Sequence, residues 1–208
     1  MKVILFFILI IFPFELAEGA QQLIAAKTDL SPVIDGQDND QVWKTVPAII
    51  TTDKVTGISI ELQAAFNDEF IFIKVQFPDK TENIEHKTLS WNKEEGVYRT
   101  SNKREDSFVI KWSMETLPVD LSLKSDHPYK ADVWFWKAFR TDPTGHADDK
   151  YHMFGTRKFE KSREILTPSG KTMFLLRKAD AGKSAYKSIF HDKYITETLP
   201  RYEHREPE

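Results

Sequence analysis

The sequence predicts an all-β protein, a β-sandwich with short helices in its loops. Three observations support this prediction. Hydrophobic and polar residues alternate over several short segments, as they do in half-buried strands. Turn-forming residues separate these segments, and few windows show helical spacing. The chain has 208 residues, of which 40% are hydrophobic and 29% charged, which is a globular composition and enough for one sandwich domain.

A short helix and a hairpin are predicted in the first half of the chain. Asp38 is predicted to cap a helix that continues to Thr45. The predicted buried side of this helix comprises Val42, Trp43 and Val46. Residues 58–66 and 70–77 alternate on either side of an Asn-Asp-Glu turn, and together they predict a β-hairpin.

The second half predicts further strands at residues 106–114, 132–139 and 171–177. Residues 81–104 are polar and charged, and they predict a long loop that carries Trp91. The charged tail from Leu199 is predicted to be frayed. No internal repeat divides the chain, so residues 20–208 are predicted to form a single domain.

The N-terminus has the pattern of a secretory signal peptide. Lys2 precedes an apolar run over residues 3–14, and the small residues Ala17 and Gly19 follow at signal-peptidase spacing. The run is shorter than the roughly 20 residues of a membrane-spanning helix. We expect residues 1–19 to be cleaved and the protein to be periplasmic or secreted, with no membrane span after cleavage; an uncleaved anchor is the alternative.

Charge and composition exclude several classes of function. The formal net charge of −3 gives no basis for nucleic-acid binding. The absence of cysteine excludes disulfides, thiolate metal sites, iron–sulfur clusters, cysteine nucleophiles and thioether-attached c-type haem. No nucleophile elbow, phosphate-binding loop or zinc-protease motif is present, so we do not expect an independent enzyme.

Lys137 is the most unusual residue of the predicted strands. It shares a face with Val133, Phe135 and Phe139, and no carboxylate lies in its own row. Burial of an ammonium group is costly and lowers its pKa, and a neutral lysine amine can ligate a metal or act as a base. Alternatively, Lys137 ends the strand with its stem on the apolar face and its head in water.

Met114 ends the predicted strand that carries Phe108, Ile110 and Trp112. It is either a core residue or a thioether ligand for a soft metal or haem iron. The loop after Phe139 contains Asp142, Asp148 and Asp149, which could bind calcium or simply form turns. The five tryptophans leave a sugar-stacking platform open: Trp43, Trp91, Trp112, Trp134 and Trp136.

Three stretches together resemble a known family. Residues 33–36 read VIDG, and with Val42-Trp43 they resemble the opening of family-9-like carbohydrate-binding and DOMON-type sandwiches. Residues 131–149 read ADVWFWKAFRTDPTGHADD and resemble the block Asp-x-Trp-x-Trp-Lys-Ala in the haem-binding domain of ethylbenzene dehydrogenase gamma subunits and related cytochromes. Residues 177–182, RKADAG, are similar to a downstream turn of that family. The resemblance spans residues 23–188.

The resemblance implies a β-sandwich that holds one haem, with a methionine and a lysine as iron ligands. By position these are Met114 and Lys137, with Lys171, Lys178 and Lys183 as alternative lysines. Trp112, Phe135 and Trp136 would line the haem. Arg140 would pair with a propionate, and Arg157 and Arg177 could do the same or pair with the loop aspartates instead. Without cysteine the haem would be non-covalent haem b, and six-coordinate iron suits electron transfer with a redox partner protein. A carbohydrate-binding module and a haem sensor or ligand-binding domain without redox role remain alternatives.

Overall fold

The computed structural model describes residues 21–53, 56–179 and 184–206. The predicted signal peptide at residues 1–19 lies outside the described residues, as does part of the turn at residues 177–182. Strands account for 40% of the chain and helices for 4%, in several separate sheets. The prediction of an all-β protein of β-sandwich type is therefore confirmed. Within the described residues, no helix is both long and apolar enough to cross a membrane.

The chain divides into two compact units, Met1–Asp79 and Lys80–Glu208. In its described part, the first unit contains one helix and four strands. In chain order these are β1 (Ala25–Lys27), α1 (Gln41–Thr45), β2 (Ile49–Thr52), β3 (Ser59–Phe66) and β4 (Ile71–Gln76). β3 pairs antiparallel with β4 and β2 and parallel with β1. The predicted hairpin is thus present as β3 and β4.

Helix α1 is held to the sheet of the first unit by both packing and hydrogen bonds. Val42, Trp43 and Val46 are buried against Ala65. The buried amide of Gln63 on β3 donates to the carbonyl oxygens of Trp43 and Val46 at 2.8 and 2.7 Å. The N-cap residue is Asp40 rather than the predicted Asp38. Asp38 therefore lies too early in the chain to cap a helix that begins at residue 41.

The second unit contains ten strands among its described residues. In chain order these are β5 (Leu89–Asn92), β6 (Val97–Thr100), β7 (Ser107–Ser113), β8 (Tyr129–Lys137), β9 (Asp148–Gly155), β10 (Arg163–Leu166), β11 (Thr172–Ala179), β12 (Tyr186–Ser188), β13 (Thr198–Leu199) and β14 (Tyr202–His204). Five of them form an antiparallel sheet in the order β10-β11-β9-β8-β7. β13, β5 and β6 form a three-stranded sheet, and β12 pairs with β14.

Two segments are more ordered than the sequence predicts. The predicted polar loop at residues 81–104 contains the hairpin of β5 and β6, in which Trp91 packs edge-on against Tyr98 at 5.0 Å. The predicted frayed tail contributes β14, and its Tyr202 is buried. In both segments, one or two aromatic side chains provide the packing and the other residues are polar. The sequence therefore shows little alternation of hydrophobic and polar residues from which a strand could be predicted.

The five-stranded sheet has two different faces. On what we call the core face, small and aromatic residues of β8 pack with residues of β9 and β11: Tyr129, Ala131, Val133, Phe154, Met173 and Leu175. The segment between β7 and β8 covers them with Val119, Leu121 and Leu123. The opposite face, the tryptophan face, carries Phe108, Ile110, Trp112, Trp134 and Trp136 in register. Strand alternation thus separates the tryptophans from the packed core.

Truncation of Met173 should test where the core lies. Met173 is fully buried on the core face, so Met173→Ala should lower the free energy of unfolding by about 2–5 kcal/mol through the cavity it leaves. Met114 is 54% exposed, and Met114→Ala should change it by less than about 0.5 kcal/mol. Urea unfolding followed by circular dichroism measures both. Equal losses in the two variants would contradict this position of the core.

Candidate functional site

A buried ion pair lies on the core face where β8 ends and β9 begins. The ammonium of Lys137 bonds to the carboxylate of Asp148, and both side chains are only 2% exposed. Asp148 stands opposite Phe135 in the register of β8 and β9, which brings its carboxylate beside the last residue of β8. The Lys137 ammonium also lies over the ring of Phe135, 4.4 Å from its centroid. The carboxylate that the row of Lys137 lacks therefore comes from the neighbouring strand.

Two further residues surround this carboxylate. The hydroxyl of Tyr186 donates to Asp148 Oδ2 at 3.1 Å, and Lys150 Nζ lies 3.4 Å from the same oxygen. Burial lowers the pKa of Lys137, while the bond to Asp148 opposes that shift. Burial alone would raise the pKa of Asp148, but the two lysines and Tyr186 together hold it below its ordinary value. Asp148 is therefore a buried anion shared among several donors.

Arg140 belongs to a second buried network that fixes the turn after β8. Its Nε lies 2.5 Å from Glu105 Oε1, and Glu105 Oε2 accepts the backbone N–H groups of Phe139 and Arg140 at 2.9 Å. His86 Nδ1 lies 3.2 Å from the same carboxylate, outside hydrogen-bond geometry. Burial, with Arg140 adding to it, lowers the pKa of His86 to about 4. Arg140 also reaches the Tyr186 hydroxyl at 3.4 Å, which connects the two networks.

The predicted lining residues lie on opposite faces of the sheet. Phe135 is on the core face beside Lys137. Trp112 and Trp136 are on the tryptophan face, where Trp112 packs edge-on against Trp134 at 5.3 Å and the Trp136 indole donates to Asp142 at 2.8 Å. One side of the sheet cannot present Phe135, Trp112 and Trp136 to the same ligand.

The structure does not bring Met114 and Lys137 together. Lys137 stands opposite Ser107 at one end of the β7–β8 pair, and the backbone N–H of Met114 bonds to Lys130 at the other end. At about 3.3 Å per residue, this places their backbones roughly 23 Å apart. Lys137 is also engaged by Asp148. Met114 and Lys137 therefore could not both ligate one haem iron in this arrangement.

The alternative lysines differ in their surroundings. Lys171 Nζ donates to the carbonyl oxygen of Asp126 at 2.7 Å, so its ammonium is engaged in a turn contact. Lys178 is an exposed residue of β11 that stands opposite Tyr151, on the tryptophan face. Lys183 lies outside the described residues. Of the two described alternatives, only Lys178 shares the face and the exposed setting of Met114.

The three aspartates proposed for calcium do not converge. Asp148 points to the core face, whereas Asp149 is its neighbour on the strand and points to the other. Asp142 begins a 3₁₀ turn at Asp142–Thr144 and accepts the Trp136 indole. Across residues 21–53, 56–179 and 184–206, no three histidine or carboxylate side chains are grouped to hold a metal ion.

Several residues of the site are not predictable from local sequence patterns. β9 was not predicted, although Asp148, Lys150, His152 and Phe154 alternate with Asp149, Tyr151 and Met153 at strand spacing. The side of β9 that faces the core is polar at three of its four positions. A search for alternating hydrophobic residues therefore does not detect this strand. Glu105, His86 and Tyr186 carry no local signal, since distant segments bring them to the site.

One family model, described as ethylbenzene dehydrogenase, matches residues 39–194 of the chain. This range includes β8, the Lys137–Asp148 pair and Tyr186. No curated protein sequence and no solved structure gives a significant match.

Replacement of one partner of the ion pair should leave the charge of the other partner unpaired in the core. Asp148→Asn leaves the ammonium groups of Lys137 and Lys150 without their anion, so it should cost about 3–5 kcal/mol of folding free energy. Lys137→Met should cost less, because Lys150 still faces Asp148. The double variant Lys137→Met/Asp148→Leu should cost less than Asp148→Asn alone. Urea unfolding at pH 7 gives the three values, and a double variant that costs more than Asp148→Asn alone would contradict a direct pairing.

The buried His86 should make stability fall in mild acid. Its pKa drops from 6.5 in the unfolded chain to about 4 in the folded protein. Between these values the unfolded chain binds a proton that the folded protein does not, so stability is lost as the pH falls from about 6.5 to about 4. The shift is equivalent to roughly 3 kcal/mol at most.

His86→Gln should therefore flatten the dependence of unfolding free energy on pH in this window. Buried His152, with a pKa also lowered to about 4, keeps its own share of the slope. His127→Gln, at an exposed position, serves as the comparison variant. The prediction fails if the two variants have the same pH profile in urea unfolding.

Proposed function

Because the chain belongs to the ethylbenzene dehydrogenase family, we propose that it is a non-catalytic electron-transfer protein or subunit that binds haem b and works with a redox partner protein. The observation that supports this most is the extent of the family match, which covers residues 39–194. The match includes the tryptophan–lysine block and both buried networks around it. The family relation thus extends into both compact units.

The composition limits the form of the cofactor. Without cysteine the chain cannot attach haem through thioether bonds, so a bound haem would be b-type. Such a haem would supply one-electron chemistry. The residues of this chain would bind it and exclude water from it. We further propose a periplasmic or secreted location from the signal-peptide pattern of residues 1–19.

Among the predicted iron ligands we retain Met114 and assign Lys137 a structural role. The sulfur of Met114 lies on an exposed residue at the end of β7, where a planar cofactor can approach it. Lys137 is fully enclosed and its ammonium binds Asp148, so to ligate iron it would have to break a buried ion pair.

Titration of the purified protein with haemin tests the proposal. We expect one haemin per chain, a Soret band, and a b-type pyridine haemochrome, because no covalent attachment is available. Met114→Ala should change the reduced spectrum by removing a thioether ligand. Lys137→Met, which keeps the length of the side chain, should retain the wild-type spectrum.

Met153→Leu serves as the matched control, because it removes a thioether that is partly buried on β9. A protein that takes up no haemin would refute haem binding. In that case, quenching of tryptophan fluorescence by an added sugar would favour the carbohydrate-binding alternative. Trp112, which is 36% exposed, is accessible for such a contact. A wild-type spectrum in Met114→Ala would remove Met114 as a ligand.

A further inference from the structure

A group of basic side chains lies on the core face beside the Lys137–Asp148 pair, and its Lys150 also contacts Asp148. In one row across the sheet, His152 lies between Ala131 and Arg177. In the next row, Val133 lies between Lys111 and Lys150. Ala131 and Val133 are fully buried, and the basic residues stand beside them in these two rows. We call Lys111, Lys150, His152 and Arg177, with Tyr129 beside them, the basic recess.

The basic recess contains two polar atoms that lack a hydrogen-bond partner in the structure. They are Nδ1 of His152 and the hydroxyl oxygen of Tyr129, on residues that are 6% and 2% exposed. Tyr129 stands two residues from Ala131, on the same face, so both atoms belong to one region of the sheet. Buried polar atoms without a partner are uncommon, since each costs free energy unless a bound molecule satisfies it.

The charges around these two atoms are mainly positive. Lys111 Nζ lies 5.8 Å from the centroid of the Tyr129 ring and donates to the carbonyl oxygen of Leu121 at 2.9 Å, which leaves further N–H donors on the ammonium. Burial lowers the pKa of Lys111, and the charge of Arg177 lowers it further. Arg177 itself is exposed to solvent.

Two carboxylates lie near these basic side chains, and neither neutralises all of their positive charge. Asp148 is already shared by Lys137 and Lys150. The charge of Asp120 raises the pKa of both Lys111 and Tyr129, but Asp120 is exposed and lies on the segment between β7 and β8. The basic recess thus offers donors of four types: an ammonium, a guanidinium, an imidazole and a phenol. Oxyanions accept hydrogen bonds from all four.

We propose that the basic recess binds a small oxyanion, a phosphate or a carboxylate, between Arg177 and Lys111. His152 Nδ1 and the Tyr129 hydroxyl donate the hydrogen bonds that orient it. The site is on the core face, whereas Met114 and the tryptophans belong to the opposite side of the sheet. Oxyanion binding is therefore independent of haem binding and does not require it.

The test is a titration of the haem-free protein with sodium phosphate and, separately, with sodium acetate at constant ionic strength. The imidazole signals of His152 are followed by NMR. We expect a saturable shift of these signals, with one anion bound per chain by calorimetry. The anion that binds more tightly identifies the source as phosphate or carboxylate. An unsaturable drift of all histidine signals alike would overturn the proposal.

Two matched substitutions separate a specific site from general attraction between charges. Arg177→Gln should weaken binding about tenfold or more, as expected for the loss of a charge-assisted hydrogen bond. Lys178→Gln removes the same charge from the next residue of β11, which faces the other side of the sheet, and should leave binding unchanged. Lys111→Gln provides a second variant within the basic recess. Equal binding by Arg177→Gln and Lys178→Gln would contradict the site.

Discussion

The buried ion pair of Lys137 and Asp148 is the interaction on which the architecture of the second unit depends. Two opposite charges are enclosed where β8 ends and β9 begins, and neither has water to solvate it. Each must keep the other in place, because an unpaired buried charge is far less stable than the pair. Tyr186 and Lys150 complete the shell of donors around Asp148. The strand ends and β12 are therefore fixed relative to one another by a single carboxylate.

This pair changes how the family relation is interpreted. The chain belongs to the ethylbenzene dehydrogenase family, and the matched range includes the tryptophan–lysine block. In the structure the lysine of that block turns inward to an anion, while two of its tryptophans face the opposite side. The side chains of the block thus point to both sides of one strand and do not line a single pocket. We infer that Lys137 holds the sheet together and that a haem, if bound, is held by other residues.

Local patterns predicted much of the fold but little of the site. The alternation of residues 58–66 and 70–77 sufficed for β3 and β4, because both strands carry regular apolar rows. β9 was not predicted, because it places Asp148, Lys150 and His152 toward the core, where apolar residues are the norm. The anomaly of Lys137 was visible in the sequence, but its partner was not. Asp148 reaches Lys137 only through the register of two strands, which follows from the turn between them.

The most direct test of this account is a crystal structure of the protein before and after exposure to haemin. The account predicts that Lys137 Nζ stays within hydrogen-bond distance of the Asp148 carboxylate in both crystals, about 2.7–2.9 Å from the nearest oxygen. Any haem iron would then be ligated by residues other than Lys137. A structure in which Lys137 Nζ has left Asp148 and is bonded to iron would contradict the structural role assigned to this lysine.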